Sequence, residues 1–426
     1  MNGPALIYRL ACLVFLIFTF SCGTFYSKNT YIGDYKLSQK NYKEAIERFE
    51  KELSANPNNW RVREKLGYAY LKTDQYDKAI TEFTEVLKEI PKRPYATYYL
   101  GLAYMKNGNR HKAIDIFKSY HNEEEPMVEL QIKKHLTILE MVESLNFAKA
   151  AVQQEKALNT LQPKAETVAV FYFKDLSADD RFRHLQKAMA AMIITDLSRV
   201  ESLQVLERMR VQYLLTEMQM GQTGIVEKNS APRTGRLLGA ENLILGTFNT
   251  GSLRVNSSVA STSKGHLKGS IAVHSEIEQF YILQKELVYQ ILKVLNVKLP
   301  PEEQATFSKY HTKSLNAALY FGQGLEALDM DEWKEAEEYF HRAFIEDPSF
   351  KLAKKFKDAC PQPNTPTISA LAAMSTTALA DMFQSDAVDT ADAQTEIAKS
   401  EKAPDGGGGN PEKSSNPNTG SITISW

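Results

Sequence analysis

Apolar and small residues recur through the first third of the chain on a fixed period of 34. Ile32, Leu66 and Leu100 keep that spacing, and so do Gly33, Gly67 and Gly101, Ala45, Ala79 and Ala113, and Phe49, Phe83 and Phe117. Within each unit the apolar positions fall at helical intervals, which predicts pairs of amphipathic helices stacked side by side. Turn signals sit where each hairpin needs them, at Thr73-Asp74-Gln75 and Asn107-Gly108-Asn109, and Pro57, Pro91 and Pro126 close the units. A fourth unit stands alone downstream, with Gly324, Trp333, Ala336, Phe340, Ala343 and Pro348 at the same offsets. Residues 127–161 predict one or two polar-faced helices capping the array, from Val128, Ile132, Leu136, Leu139 and Val142. The pattern then changes. Val168–Phe173 is a short buried strand, and Leu185 to Val200 a helix. Leu203–Leu206 is a second strand, Val211 to Met218 a second helix, and Asn242–Phe248 a third strand. Leu253, Val255, Ser257 and Val259 alternate, as do Leu267, Gly269, Ile271 and Val273, predicting an antiparallel hairpin with one buried face before a last helix over Ile277–Leu295.

The 34-residue columns resemble tetratricopeptide repeats. Such arrays present a groove lined by the inner helices, and the resemblance places Arg61, Glu64, Tyr68, Lys72, Tyr95, Tyr98 and Met105 on it. Aromatics alternating with charges there suit an extended peptide or protein partner; the alternative is an array that only positions its neighbours. Between the repeats, Val168-Ala169-Val170-Phe171-Tyr172-Phe173-Lys174-Asp175, Val205-Leu206-Glu207-Arg208-Met209-Arg210 and Leu237–Phe248 (LLGAENLILGTF) stand in order. These three motifs resemble the curli-secretion lipoprotein family (CsgG/HfaB-like), over residues 166–300. The expected fold class is therefore α+β multidomain: a helical tetratricopeptide solenoid over 22–126 plus an α/β CsgG-like domain similar to the TolB N-terminal fold, with the isolated repeat at 314–358. Pore-forming members of that family insert long membrane-spanning hairpins. Here each strand alternates for about seven residues where a membrane strand needs about 9–11. Arg254, Lys268 and His274 lie on the non-core face, with no flanking aromatic girdle. A soluble periplasmic sheet is the expectation, against a short pore element completed by oligomerisation.

At the N-terminus, Arg9 precedes the apolar run Leu10–Phe18, which is short for a membrane span and reads as the core of a signal peptide over 1–21. Ser21-Cys22-Gly23 then resembles a bacterial lipobox, with Thr19 standing where Leu is usual and Phe20 bulky. That resemblance implies Cys22 as the lipidated first residue of the mature chain; an ordinary signal peptide or an uncleaved anchor are the alternatives. Gly23 in place of Asp suits outer-membrane sorting.

Composition narrows the chemistry. The 51 basic and 52 acidic residues of the 426 leave a net charge of −1, which argues against a nucleic-acid partner. Three cysteines, Cys12, Cys22 and Cys360, exclude a disulfide framework and a multi-cysteine metal site. The eight histidines are scattered without H-E-x-x-H, and neither G-x-S-x-G nor a phosphate loop occurs. Asp175, Asp179 and Asp180 are expected to be a solvated loop with a helix cap, and Glu207-Arg208 a structural pair. No catalytic residue, metal or cofactor is assigned. Lys351, Lys354, Lys355 and Lys357 make a basic helix end, expected to be solvated. Residues 361–426, rich in small and polar residues, read as a disordered acidic tail. The expectation is a non-enzymatic lipoprotein of the outer membrane facing the periplasm, serving assembly or export of a surface polymer, with homo-oligomerisation open. A regulatory lipoprotein activating a cell-wall synthase and a pure scaffold are the alternatives.

Overall fold

The computed structural model describes residues 27–120, 126–155, 163–177, 180–218, 231–250, 253–300, 304 and 307–385. Cys22, the 1–21 leader and the segment beyond 385 lie outside them. The described residues form two compact units that divide within one helix, between Ala103 and Tyr104.

The first unit holds helices α1 (Lys28–Ser38), α2 (Tyr42–Ala55), α3 (Trp60–Lys72), α4 (Tyr76–Glu89) and most of α5 (Pro94–Lys106). The small column explains itself in packing. A Cβ on Gly33 would come within 2.4 Å of the Phe49 ring, and one on Gly67 within 3.0 Å of Phe83, so each Phe fills the space its glycine vacates. Asn41 and Asn59 cap α2 and α3 by accepting the N–H of Glu44 and Val62. The turns show a further column: Lys40, Asp74, Gly108 and Asp331 share one repeat offset, and all adopt positive φ (58°, 58°, 77° and 61°).

The second unit opens with α6 (Arg110–Ser119) and α7 (Pro126–Gln153). In place of polar-faced caps, α7 is one 28-residue helix buried over most of its length. Its predicted stripe is joined by buried Ile138, Met141 and Leu145, because it packs against elements on several sides. The α/β core follows: β1 (Lys164–Val170), β2 (Lys174–Asp175), α8 (Leu185–Leu197), β3 (Gln204–Val205), α9 (Arg208–Glu217), α10 (Ala231–Leu238), β4 (Ala240–Asn249), β5 (Leu253–Ser261), β6 (Leu267–Ser275) and α11 (Phe280–Val294). The sheet runs β3-β1-β4-β5-β6, with β2 beside β4. Its first pairings are parallel, with Val168 opposite Val205 and Asn242, while β4, β5 and β6 are antiparallel. The hairpin strands are longer than their alternation predicts, nine residues each, because their ends pair through polar residues.

The isolated repeat comprises α12 (Leu315–Asp329), α13 (Trp333–Glu346) and α14 (Lys351–Ala359). It packs on the α/β core through α8. Gly322 allows that approach, since a Cβ there would lie 2.0 Å from the His184 carbonyl oxygen. Lys355 departs from the expected solvated basic end: it turns inward on α14, and burial pulls its ammonium down to about 8. Cys360 is buried with a free thiol, its Sγ donating to the Trp333 carbonyl at 3.4 Å.

The tail expected from residue 361 is corrected at its start. Residues 368–385 form α15 (Ile368–Ala373) and α16 (Thr376–Ser385), burying Ile368, Leu371, Leu379, Ala380 and Phe383. Alanine-rich composition favours helix, and these apolar residues fall at helical spacing within a polar background. Phe383 stacks on buried His135 of α7 at 3.9 Å.

Candidate functional site

The seven predicted groove residues divide by burial. Arg61, Glu64, Tyr68 and Lys72 fall at intervals of three and four along one face of α3. Glu64 is 1% exposed, held by a two-pronged ion pair in which Arg93 Nε donates to Oε1 at 2.9 Å and Nη2 to Oε2 at 2.8 Å. The Arg93 guanidinium lies 5.2 Å from the Trp60 ring and 5.9 Å from that of Tyr95, and Arg61 stacks on the other prong of the cluster, 4.5 Å from Trp60. Tyr68 is buried edge-on against Tyr99 at 5.0 Å, Tyr98 meets Tyr99 at 5.4 Å, and Lys72 Nζ lies 5.3 Å from the Tyr68 ring. Met105 is buried within the second unit. The aromatic rings expected to line an open groove are thus packed between helices. Arg61 and Lys72 keep partial access to solvent, so the accessible edge of this face is cationic. Sequence reasoning missed Trp60, Arg93 and Tyr99. The Arg93-Pro94 helix start and the Tyr98-Tyr99 doublet were the signals for the last two.

A second constellation lies wholly inside the other unit. Asp329, at the end of α12, accepts from Lys187 Nζ on α8 at 2.9 Å and from Tyr172 Oη beyond β1 at 3.1 Å, and it pairs with Arg208 at the start of α9. Arg208 also donates to Tyr172. Burial raises the Asp329 carboxyl pKa, yet the charges of Arg208 and Lys187 outweigh it and hold the group below its usual range. Burial pushes the Tyr172 phenol up. The neighbouring Glu207 and Arg208 do not pair with each other. Glu207 faces Lys118 at 3.6 Å, and burial raises its pKa. The expected pair is therefore not formed: Glu207 stands at the N-cap position of α9, and each side chain serves a different contact.

Asp196, at 0% exposure, is a third such centre, accepting from Lys285 Nζ at 2.7 Å and Gln284 Nε2 at 2.9 Å, with His311 Nε2 at 3.0 Å. Burial opposes its ionisation, but His311 and Lys285 carry its pKa down to about 2. Asp175 caps a tight turn, accepting the Ser177 N–H at 2.8 Å, and Asp180 opens a short 3-10 turn; Asp179 lies outside the described residues. Among the described residues no group of His, Cys, Asp and Glu is placed to hold a metal. None of their helices is long and apolar enough to cross a membrane.

The hairpin completes the geometry. Leu253, Val255, Val259, Ile271 and Val273 point to one face and are buried, with α11 packed on these strands and Val294 against Gly269. Arg254, Asn256, Lys268 and His274 are exposed on the other.

Comparison with known families places these pieces. Residues 148–266 match the family model for the curli production assembly/transport component CsgG, and residues 36–94 and 95–123 match two tetratricopeptide repeat models. The chain carries a CsgG domain behind tetratricopeptide repeats. No curated protein matches it. Among solved structures, the crystal structure of the yeast Tom70 aligns over 88% of this chain and 75% of that one, at 12% identity and a TM-score of 0.23, too low to bear on the fold. The CsgG match takes in only the last residues of α7 and ends at the hairpin turn; the helix as a whole packs on α9 within that region. The motif residues have physical work in it. Gly239 takes φ +70° to turn α10 into β4. Gly246 leaves room for Phe173, whose ring a Cβ would meet at 2.1 Å, and Arg208 anchors the ion network.

Proposed function

We propose that this chain is a non-enzymatic lipoprotein, anchored through Cys22 in the outer membrane and facing the periplasm. It would serve assembly or transport of a surface polymer, as the curli production family does, with its repeats docking a protein partner. The observation that carries this reading is the CsgG match directly following two tetratricopeptide matches. The leader pattern ending at Ser21-Cys22 supports the anchor. The partial access of Arg61 and Lys72, with the rings behind them buried, favours a partner segment bearing acidic residues. The hairpin supports a docking component rather than a membrane-spanning one, since its apolar face is already covered by α11.

The experiment pairs two variants. Cys22→Ser should lose metabolic acyl labelling and leave the outer-membrane fraction. Arg61→Glu with Lys72→Glu should weaken recovery of the cross-linked partner by about tenfold or more, the equivalent of ~1.4 kcal/mol, with the helical circular-dichroism spectrum retained. Undiminished recovery with the double variant contradicts the docking face.

A further inference from the structure

The outer face of α1 carries two exposed tyrosines at the end of the solenoid. Thr30, Gly33 and Leu37 turn inward, while Lys28, Tyr31, Tyr35 and Ser38 share the opposite side. Tyr31 is 65% exposed and Tyr35 54%, the two largest exposures of a tyrosine among the described residues. A terminal repeat ordinarily presents a polar outer face, because no further unit stacks on it. This one presents two aromatic rings, with exposed Lys28, Lys40 and Lys43 nearby.

Chain length fixes what lies close. Cys22 stands five residues before Ser27, the cap of α1. Fully extended, five residues span at most about 18 Å. If Cys22 is acylated, as proposed above and on which this inference rests, α1 cannot leave the vicinity of the lipid headgroups. Tyrosine has an apolar body and a polar tip and partitions into that zone, and lysines beside it favour anionic headgroups. We propose that the Tyr31–Tyr35 face of α1 is a phospholipid-contacting surface that seats the repeat array on the membrane holding the anchor. The lipid chain supplies attachment, and the tyrosine pair supplies orientation.

The test uses the full-length acylated protein in phosphatidylethanolamine–phosphatidylglycerol vesicles. Ser38→Cys places an environment-sensitive fluorophore on the same face and keeps both tyrosines. Buried Cys360, its thiol pushed up to about 12 by burial, does not compete for label. The expected result is a blue-shifted emission, quenched by headgroup-region nitroxide lipids. Both effects should be lost when Tyr31→Ser and Tyr35→Ser are added, while the protein still floats with the vesicles. A water-like, unquenched signal from floating protein overturns the proposal and leaves the anchor standing. Protein that carries no acyl label and fails to float overturns both. An equal blue shift in lipid-free detergent assemblies of many copies assigns the face to a second copy of the chain and overturns it as well.

Discussion

Asp329 shows how a single buried carboxylate organises its unit. Three donors from three separate segments converge on it, so its removal strands Arg208 and Lys187 in an apolar surround. Asp329→Ala should cost about 3–5 kcal/mol, whereas Arg208→Met combined with Asp329→Leu and Lys187→Met should recover much of that loss. Urea unfolding of the variants reads this directly, and a cheap single truncation would contradict the network. Two residues on, Asp331 offers a pH test. Its carboxyl is pushed up to about 6, first by burial and then by the charge of Asp329, with the Ile368 N–H only partly offsetting. A raised folded-state pKa means its contribution to stability is complete below about 3.8 and is lost as pH rises through about 6. Asp331→Asn should therefore match the wild type near pH 4 and gain on it steadily to pH 7, measured as the difference in melting temperature. A difference that is flat across that range would contradict the burial argument. Neither carboxylate was distinguishable in the sequence, because what sets them apart is the partners that tertiary packing delivers.

At the scale of elements, the repeats were legible because their columns are enforced by contact. A glycine under a phenylalanine leaves a periodic mark in the chain. The left-handed turn column at Lys40, Asp74, Gly108 and Asp331 was less visible, because its four positions hold three residue types that share only a backbone angle. Helix α7 was misjudged for a different reason. Its buried Glu129, His135 and Glu140 make it look polar-faced, yet each is partnered: Glu129 by Lys133 one turn along the same helix, Glu140 by Lys118 of α6 and His135 by the Phe383 ring of α16. The start of the 361–426 segment misled through composition, which conceals a few well-spaced apolar residues. The candidate docking face was half legible: the positions on α3 were found, but their burial depends on Trp60, Arg93 and Tyr99. Docking of the isolated repeat on the α/β core has its own test. Gly322→Ala forces a methyl group against the His184 carbonyl and should cost about 1–3 kcal/mol. Limited proteolysis should then cut between α11 and α12 faster than in the wild type; an unchanged rate would contradict the close helix approach.

On the scale of the whole molecule, the chain interrupts a repeat series with a CsgG domain and then returns to a repeat that packs on that domain. The second unit is a compact body in which α7, the sheet and α12–α16 pack together. The sheet's hairpin bears most directly on the proposed assembly role. A membrane-spanning hairpin must offer an apolar face to lipid, and here that face is spent on α11 while the other carries Arg254, Lys268 and His274. Electron microscopy of the detergent-extracted, acylated protein tests this most directly. Single particles or small oligomers are the predicted result. Closed rings of many subunits around a channel would contradict it, and would require the hairpin to leave α11 for the membrane.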